Sequence, residues 1–199
     1  HKETTPLLFD KSINYIKSRD KKKPFFLYLA LPSPHTPILP TRQWINKSGL
    51  NPYADFVLQI DSLIGRLNSL LIEENIEENT ILIISSDNGC SPEANFKLLG
   101  EKGHDPSYIF RGHKADIFEG GTRVPLIIKW PNKIQKKSIS NTLVSLVDFY
   151  STFAEILGLN LDENEAEDSF SILPIFEKSN SLSSRNSLVT SSLNGTFAI

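Results

Sequence analysis

A chain of 199 residues has room for one domain with a substantial core, or for part of a larger one. Its 39% hydrophobic and 22% charged residues are ordinary for a globular protein, and no apolar run is long enough to span a membrane. A formal net charge of −2 gives no reason to expect nucleic acid, and the single cysteine, Cys90, excludes an internal disulfide framework and a cysteine-built zinc site. The chain starts at His1 and contains no Met, so the expectation is a fragment or a processed product whose compartment is not legible at its start. Asn46 and Asn194 each open an Asn-x-Ser/Thr tripeptide, a weak signal on its own.

Thr5-Pro6 predicts a helix start, and Leu8, Phe9, Ile13, Tyr15 and Ile16 supply an apolar stripe to about Lys17. The basic run 19–23 suits a solvated helix end. After Pro24, Phe25-Phe26-Leu27-Tyr28-Leu29-Ala30-Leu31 predicts a strand that runs into Pro32-Ser33-Pro34-His35-Thr36-Pro37. Prolines on both sides predict an extended, stiff backbone around His35. Asn51-Pro52 opens a long helix in which Tyr53, Phe56, Val57, Ile60, Leu63, Ile64, Leu67, Leu70 and Leu71 recur at spacings of three and four.

The run Ile81-Leu82-Ile83-Ile84 has no helical period and predicts a strand buried on both faces, as in a parallel sheet. It ends on Ser85-Ser86-Asp87-Asn88-Gly89. A carboxylate beside an amide oxygen, beyond the carboxyl end of a strand, suits a hard divalent cation; the plain alternative is an Asx-Gly turn. About thirty irregular residues follow, ending in Arg111-Gly112-His113-Lys114-Ala115-Asp116-Ile117-Phe118-Glu119-Gly120-Gly121-Thr122-Arg123-Val124-Pro125. Lys114 with Arg111, His113 and Arg123 would surround an anion, or the charges would pair within a solvated loop. Residues 126–130 predict a third strand, and 143–157 a helix with Phe149, Phe153, Ile156 and Leu157 inward and Gly158 as its stop. Beyond it lie a polar loop at 161–169, an apolar patch at 171–176, a Ser-rich linker at 179–184 and a strand start at 188–190.

The order strand–Pro-His-Thr-Pro, long helix, strand–Ser-Asp-Asn-Gly, then Gly-His-Lys-Ala-Asp-Ile-Phe-Glu-Gly-Gly-Thr-Arg-Val-Pro-Leu-Ile-Ile-Lys-Trp-Pro resembles the sulfatase family, most of all the arylsulfatase A-type enzymes of the alkaline phosphatase superfamily. The likeness covers roughly residues 5–175. It implies an α/β fold with a mixed, largely parallel sheet between helix layers, followed by a small C-terminal α+β subdomain. Residues 1–158 would be the C-terminal half of the catalytic domain, and 159–199 the linker and start of the subdomain. By similarity Asp87 and Asn88 are metal ligands for calcium, with magnesium as the second candidate. His35 matches the histidine that contacts the ester's bridging oxygen, and Lys114 the lysine on the sulfate oxygens, so both are catalytic and substrate-binding candidates.

The family's nucleophile is a formylglycine made from Cys or Ser in Cys-x-Pro-x-Arg. Cys90-Ser91-Pro92-Glu93-Ala94 imitates its start but has Ala94 where Arg is required and lies at the wrong place in the order, so Cys90 is a bystander. The nucleophile and the paired aspartates that complete the metal site are expected upstream. The resemblance thus implies a piece of a sulfuric ester hydrolase acting on a sulfated small molecule or glycan, inactive alone, and secreted, periplasmic or lysosomal. The alternatives are a phosphonate or phosphodiester hydrolase of the same superfamily, and a noncatalytic protein that binds sulfated glycans.

Overall fold

The computed structural model describes residues 2–177 and 185–199; the predicted linker at 179–184 lies outside these residues. Helix α1, Thr4–Ser18, packs on helix α2, Pro52–Glu73. Phe9, Ile13 and Ile16 of α1 and Leu67, Leu70 and Leu71 of α2 form the main core cluster. Each such side chain contributes about 1.5–3 kcal/mol when fully buried. Thr5 lies in the first turn of α1, where its hydroxyl meets that of Ser33 at 2.6 Å; it caps nothing, and Glu3 holds the N-cap position. Asn51 does cap α2 as its sequence predicts, its side chain accepting the Ala54 N–H at 3.0 Å.

Strand β1, Leu82–Ser85, pairs antiparallel with β2, Leu126–Lys129, from Leu82 opposite Lys129 to Ser85 opposite Leu126. This pair is the antiparallel part of the expected mixed sheet, and β1 is half-buried rather than enclosed. Lys129 ties the end of β2 to α2 by donating to Asn68 Oδ1 at 2.7 Å and to the Glu77 carboxylate. Leu82 packs on the helix core, as do Phe25, Leu27, Leu29 and Leu31.

Residues 25–31 are extended but are not a paired strand: they make no hydrogen bond to other described residues. Their odd-numbered side chains face α1 and α2, whereas Phe26 and Tyr28 are 72% and 82% exposed. The irregular stretch after Gly89 holds more order than expected. It contains a 3-10 turn at Pro92–Ala94, helix α3, Phe96–Glu101, and the single helical turn α4, Glu119–Thr122.

Helix α5 spans Asp148–Ile156 and starts later than the apolar pattern suggested. Asp148, the first helical residue, reaches back to the Ser145 N–H at 2.7 Å, and Val147 holds the N-cap position. The buried face of α5 carries Asp148, Thr152 and Ala154, while Leu157, predicted inward, is exposed. Gly158 follows at φ +68°, the left-handed stop expected of it. Asp148 also accepts the Phe170 N–H at 3.0 Å and, in two-pronged fashion, Arg185 Nε at 3.1 Å and Nη2 at 2.6 Å. The short helix α6, Leu173–Glu177, buries Phe176. The hairpin of β3, Thr190–Ser191, and β4, Phe197–Ala198, closes the described chain.

Candidate active site

Three loops carry the residues that the sequence singles out. The first carries His35. Its backbone does not run extended as the flanking prolines suggested but turns, with the His35 N–H on the Pro32 carbonyl at 3.2 Å and both Ser33-Pro34 and Thr36-Pro37 peptides cis. His35 is exposed, and its Nδ1 lies 2.9 Å from the Thr36 carbonyl oxygen. The Thr36 hydroxyl also lies 3.2 Å from Nδ1, so Thr36 engages that nitrogen twice and Nε2 is the one left to act outward.

The second loop follows β1. The exposed carboxylate of Asp87 has no hydrogen bond or ion pair to another described residue. Asn88 donates through Nδ2 to the Gly89 carbonyl at 3.0 Å, which leaves its amide oxygen as the free end. Gly89 donates its N–H to the Gly121 carbonyl at 2.9 Å, and a Cβ at Gly89 would fall on the Gly120 carbonyl oxygen. Only glycine admits that approach of α4 to the loop.

The third loop carries Lys114, whose N–H donates to the Cys90 carbonyl at 2.9 Å. Its ammonium is not engaged by any other described residue. The neighbouring cations are occupied instead: Arg111 lies over the Phe118 ring at 3.7 Å, Arg123 over Phe110 at 4.6 Å, and Arg123 also meets Glu119 at 3.1 Å. The His113 ring has its Nδ1 2.9 Å from the Lys114 carbonyl oxygen and 3.6 Å from the Asp116 carboxylate. Of the four cations that sequence reasoning allowed around an anion, Lys114 is therefore the one left for it.

Glu93, which the sequence did not single out, lies between the Asp87 turn and Lys114. Its carboxyl is held below the usual carboxylate range, first by the Ser91 hydroxyl and its own N–H, then more weakly by the charges of Lys114 and His35. The only hint in the sequence is the Ser-x-Glu spacing directly after Asn-Gly-Cys. Cys90 hydrogen-bonds Tyr53, and burial pushes both the thiol and the phenol up. That makes Cys90 a poor nucleophile.

Among the described residues no three His, Cys, Asp or Glu side chains gather as a metal cluster. Asp87 and Asn88 nevertheless fit a hard cation as part of a shell: both present unengaged oxygens at one turn. Two ligands do not fill a calcium shell of six to eight oxygens, so the remainder must come from elsewhere.

The family model described as Sulfatase matches residues 2–159. The N-acetylgalactosamine-6-O-sulfatase of Bacteroides thetaiotaomicron is 35% identical over 97% of this chain and 38% of its own length. The arylsulfatase of Hemicentrotus pulcherrimus is 35% identical over 86% of this chain and 30% of its own. Among solved structures, a protein called BT33336S-sulf, tied to the metabolism of multiple glycosaminoglycans by Bacteroides thetaiotaomicron, superposes with a TM-score of 0.89 at 33% identity. It is matched over 98% of this chain and 41% of that one. The PsFucS1 sulfatase from Pseudoalteromonas sp. gives a TM-score of 0.82 at 26% identity over 95% of this chain and 37% of its own. The chain therefore spans between three-tenths and about two-fifths of the length of these four relatives.

Proposed function

Because the chain belongs to the sulfatase family, we propose that it forms part of a sulfuric ester hydrolase whose substrate is a sulfated sugar. The relatives named for N-acetylgalactosamine 6-sulfate support the substrate class. What supports the reading is the family match together with the unengaged polar ends of Asp87, Asn88 and Lys114, whose loops are joined by the Lys114 N–H on the Cys90 carbonyl.

A sulfate monoester carries negative charge on its nonbridging oxygens, and more develops on the departing alcohol oxygen. Lys114 offsets the first with an ammonium that makes no hydrogen bond or ion pair to another described residue. His35 serves the second: with Nδ1 engaged by Thr36, protonated Nε2 donates to the leaving oxygen. Asp87 and Asn88 would hold calcium, or magnesium, which when bound draws charge from the sulfate oxygens. The nucleophile, a formylglycine, would be supplied by residues outside this chain.

The test uses the full-length protein that contains this chain, assayed on a sulfated monosaccharide and on the matching phosphate ester. Lys114→Ala is expected to lower kcat/KM by about 10²–10³-fold. His35→Ala is expected to lower kcat by about 10²–10⁴-fold, most for alcohols that leave poorly. Asp87→Ala should lower turnover in a way that raised calcium partly restores. Near-normal activity in all three variants would end the assignment. Faster hydrolysis of the phosphate ester would move the protein to the phosphoester-cleaving branch of the superfamily.

A further inference from the structure

The lysine loop is held from the C-terminal end of the chain. On one side of Lys114, its own N–H donates to the Cys90 carbonyl at 2.9 Å. On the other, Ala115 sits at φ +79°, and its carbonyl accepts the Leu193 N–H at 3.0 Å. Leu193 is the second residue of the β3–β4 turn. That turn is closed by the Gly195 N–H on the Ser192 carbonyl at 3.0 Å and by the Ser192 N–H on the Thr196 carbonyl at 2.8 Å. Two residues along the lysine loop, the Thr190 hydroxyl faces the Ile117 carbonyl at 3.5 Å.

A residue with a Cβ is strained in the left-handed region, and such strain persists only where the surroundings over-determine it. Here the hydrogen bonds on both sides of the Lys114–Ala115 peptide do so. We propose that the β3–β4 hairpin is a positioning element for Lys114, with the Leu193 N–H fixing the Ala115 carbonyl and so the backbone from which the ammonium approaches sulfate. This rests on the reading of Lys114 as the sulfate-binding cation. Loss of the Leu193 bond frees Ala115 to relax toward right-handed φ and carries the lysine away from the anion. A displacement of about 1 Å is enough to weaken such a contact strongly.

Leu193→Pro tests this in the full-length protein. Proline suits the second position of a turn of this kind and lacks only the N–H. The expected result is a KM for the sulfate ester, and an inhibition constant for inorganic sulfate, each raised about tenfold with a smaller change in kcat. Leu193→Ala, which keeps the N–H, should restore both. In a Lys114→Ala background Leu193→Pro should add nothing, since both act through one contact. Unchanged sulfate inhibition in Leu193→Pro overturns the proposal, as does an effect repeated in full without Lys114. Should Leu193→Pro not fold, Thr190→Val decides: a KM raised severalfold supports the hairpin's role, and an unchanged KM removes it. If Lys114→Ala itself is fully active, the reading of the site fails first, and that result is visible before the hairpin is touched.

Discussion

Cys90 shows how one residue can carry a family motif's letters without its chemistry. The sequence Cys90-Ser91-Pro92-Glu93-Ala94 departs from the nucleophile motif at Ala94, and the structure gives the physical reason: Ala94 is 1% exposed, with Asn51 Nδ2 on its carbonyl at 2.7 Å. An arginine has no room there. With burial pushing the thiol up, Cys90 should alkylate slowly. Iodoacetamide at pH 7.5 is expected to label the native protein about tenfold or more slower than the denatured chain. Equal rates would mean that the thiol is open. Asp55 offers a pH prediction at the same scale. Burial, the largest single influence, acts to raise its pKa, but the N–H groups of Ser48, Asn46 and Lys47 and the Ser48 hydroxyl together hold it below the usual carboxylate range. A depressed folded-state value makes the group stabilising above the unfolded pKa, with that contribution lost as pH falls through the folded one. Asp55→Asn should therefore lower the melting temperature at pH 7, and the gap to the parent should shrink in acid below about pH 4. Asp87, Asn88 and Lys114 stand out in the sequence because each ends or interrupts a strong local pattern, and the structure adds only that their polar ends are unengaged among the described residues.

Among the elements, the tightest fit lies between the turn after β1 and α4. Gly89, Gly120 and Gly121 are the residues through which two backbones touch: a Cβ at Gly120 would meet the Gly112 carbonyl, and one at Gly121 the carbonyls of His113 and Asp116. The obstacles are backbone atoms, which cannot swing aside as a side chain can. Gly120→Ala is therefore expected to destabilise by more than about 2 kcal/mol, read as a fall in melting temperature. A variant that melts with the parent would show that the loops part easily. The Asp148–Arg185 pair makes a second prediction. Asp148 is 0% exposed and takes two hydrogen bonds from the guanidinium and two from backbone N–H groups. Asp148→Ala removes the two-pronged carboxylate from a buried guanidinium and should cost about 3–5 kcal/mol. The helix pair α1–α2 was legible from its apolar spacing, and β1 and β2 from their short β-branched runs. The start of α5 was not, since its buried face is anchored by a charge where an apolar pattern leads one to look for leucines.

At the scale of the whole molecule, the α1–α2 core is covered by Leu82 of β1 and by the odd-numbered side chains of 25–31. Seven consecutive apolar residues read as a strand enclosed on both sides, because a continuous run does not distinguish inward from outward positions. In the structure Phe25, Leu27, Leu29 and Leu31 meet the α1–α2 core, whereas Phe26 and Tyr28 meet solvent and Phe26 has only the edge of Phe153 at 5.8 Å. The backbone between them finds no partner among the described residues. An extended apolar segment with unpaired N–H and C=O groups is a template for another strand, and a net charge of −2 offers little repulsion to oppose it. The 199-residue chain on its own should therefore self-associate at micromolar concentration and bind a hydrophobic dye, both measurable by sedimentation and fluorescence. Phe26→Lys with Tyr28→Lys should shift it toward monomer without lowering the melting temperature, because neither side chain belongs to the core. A parent chain that sediments as a monomer at every concentration would mean that the edge is protected, and the extended segment would then need a different partner from the one its chemistry invites.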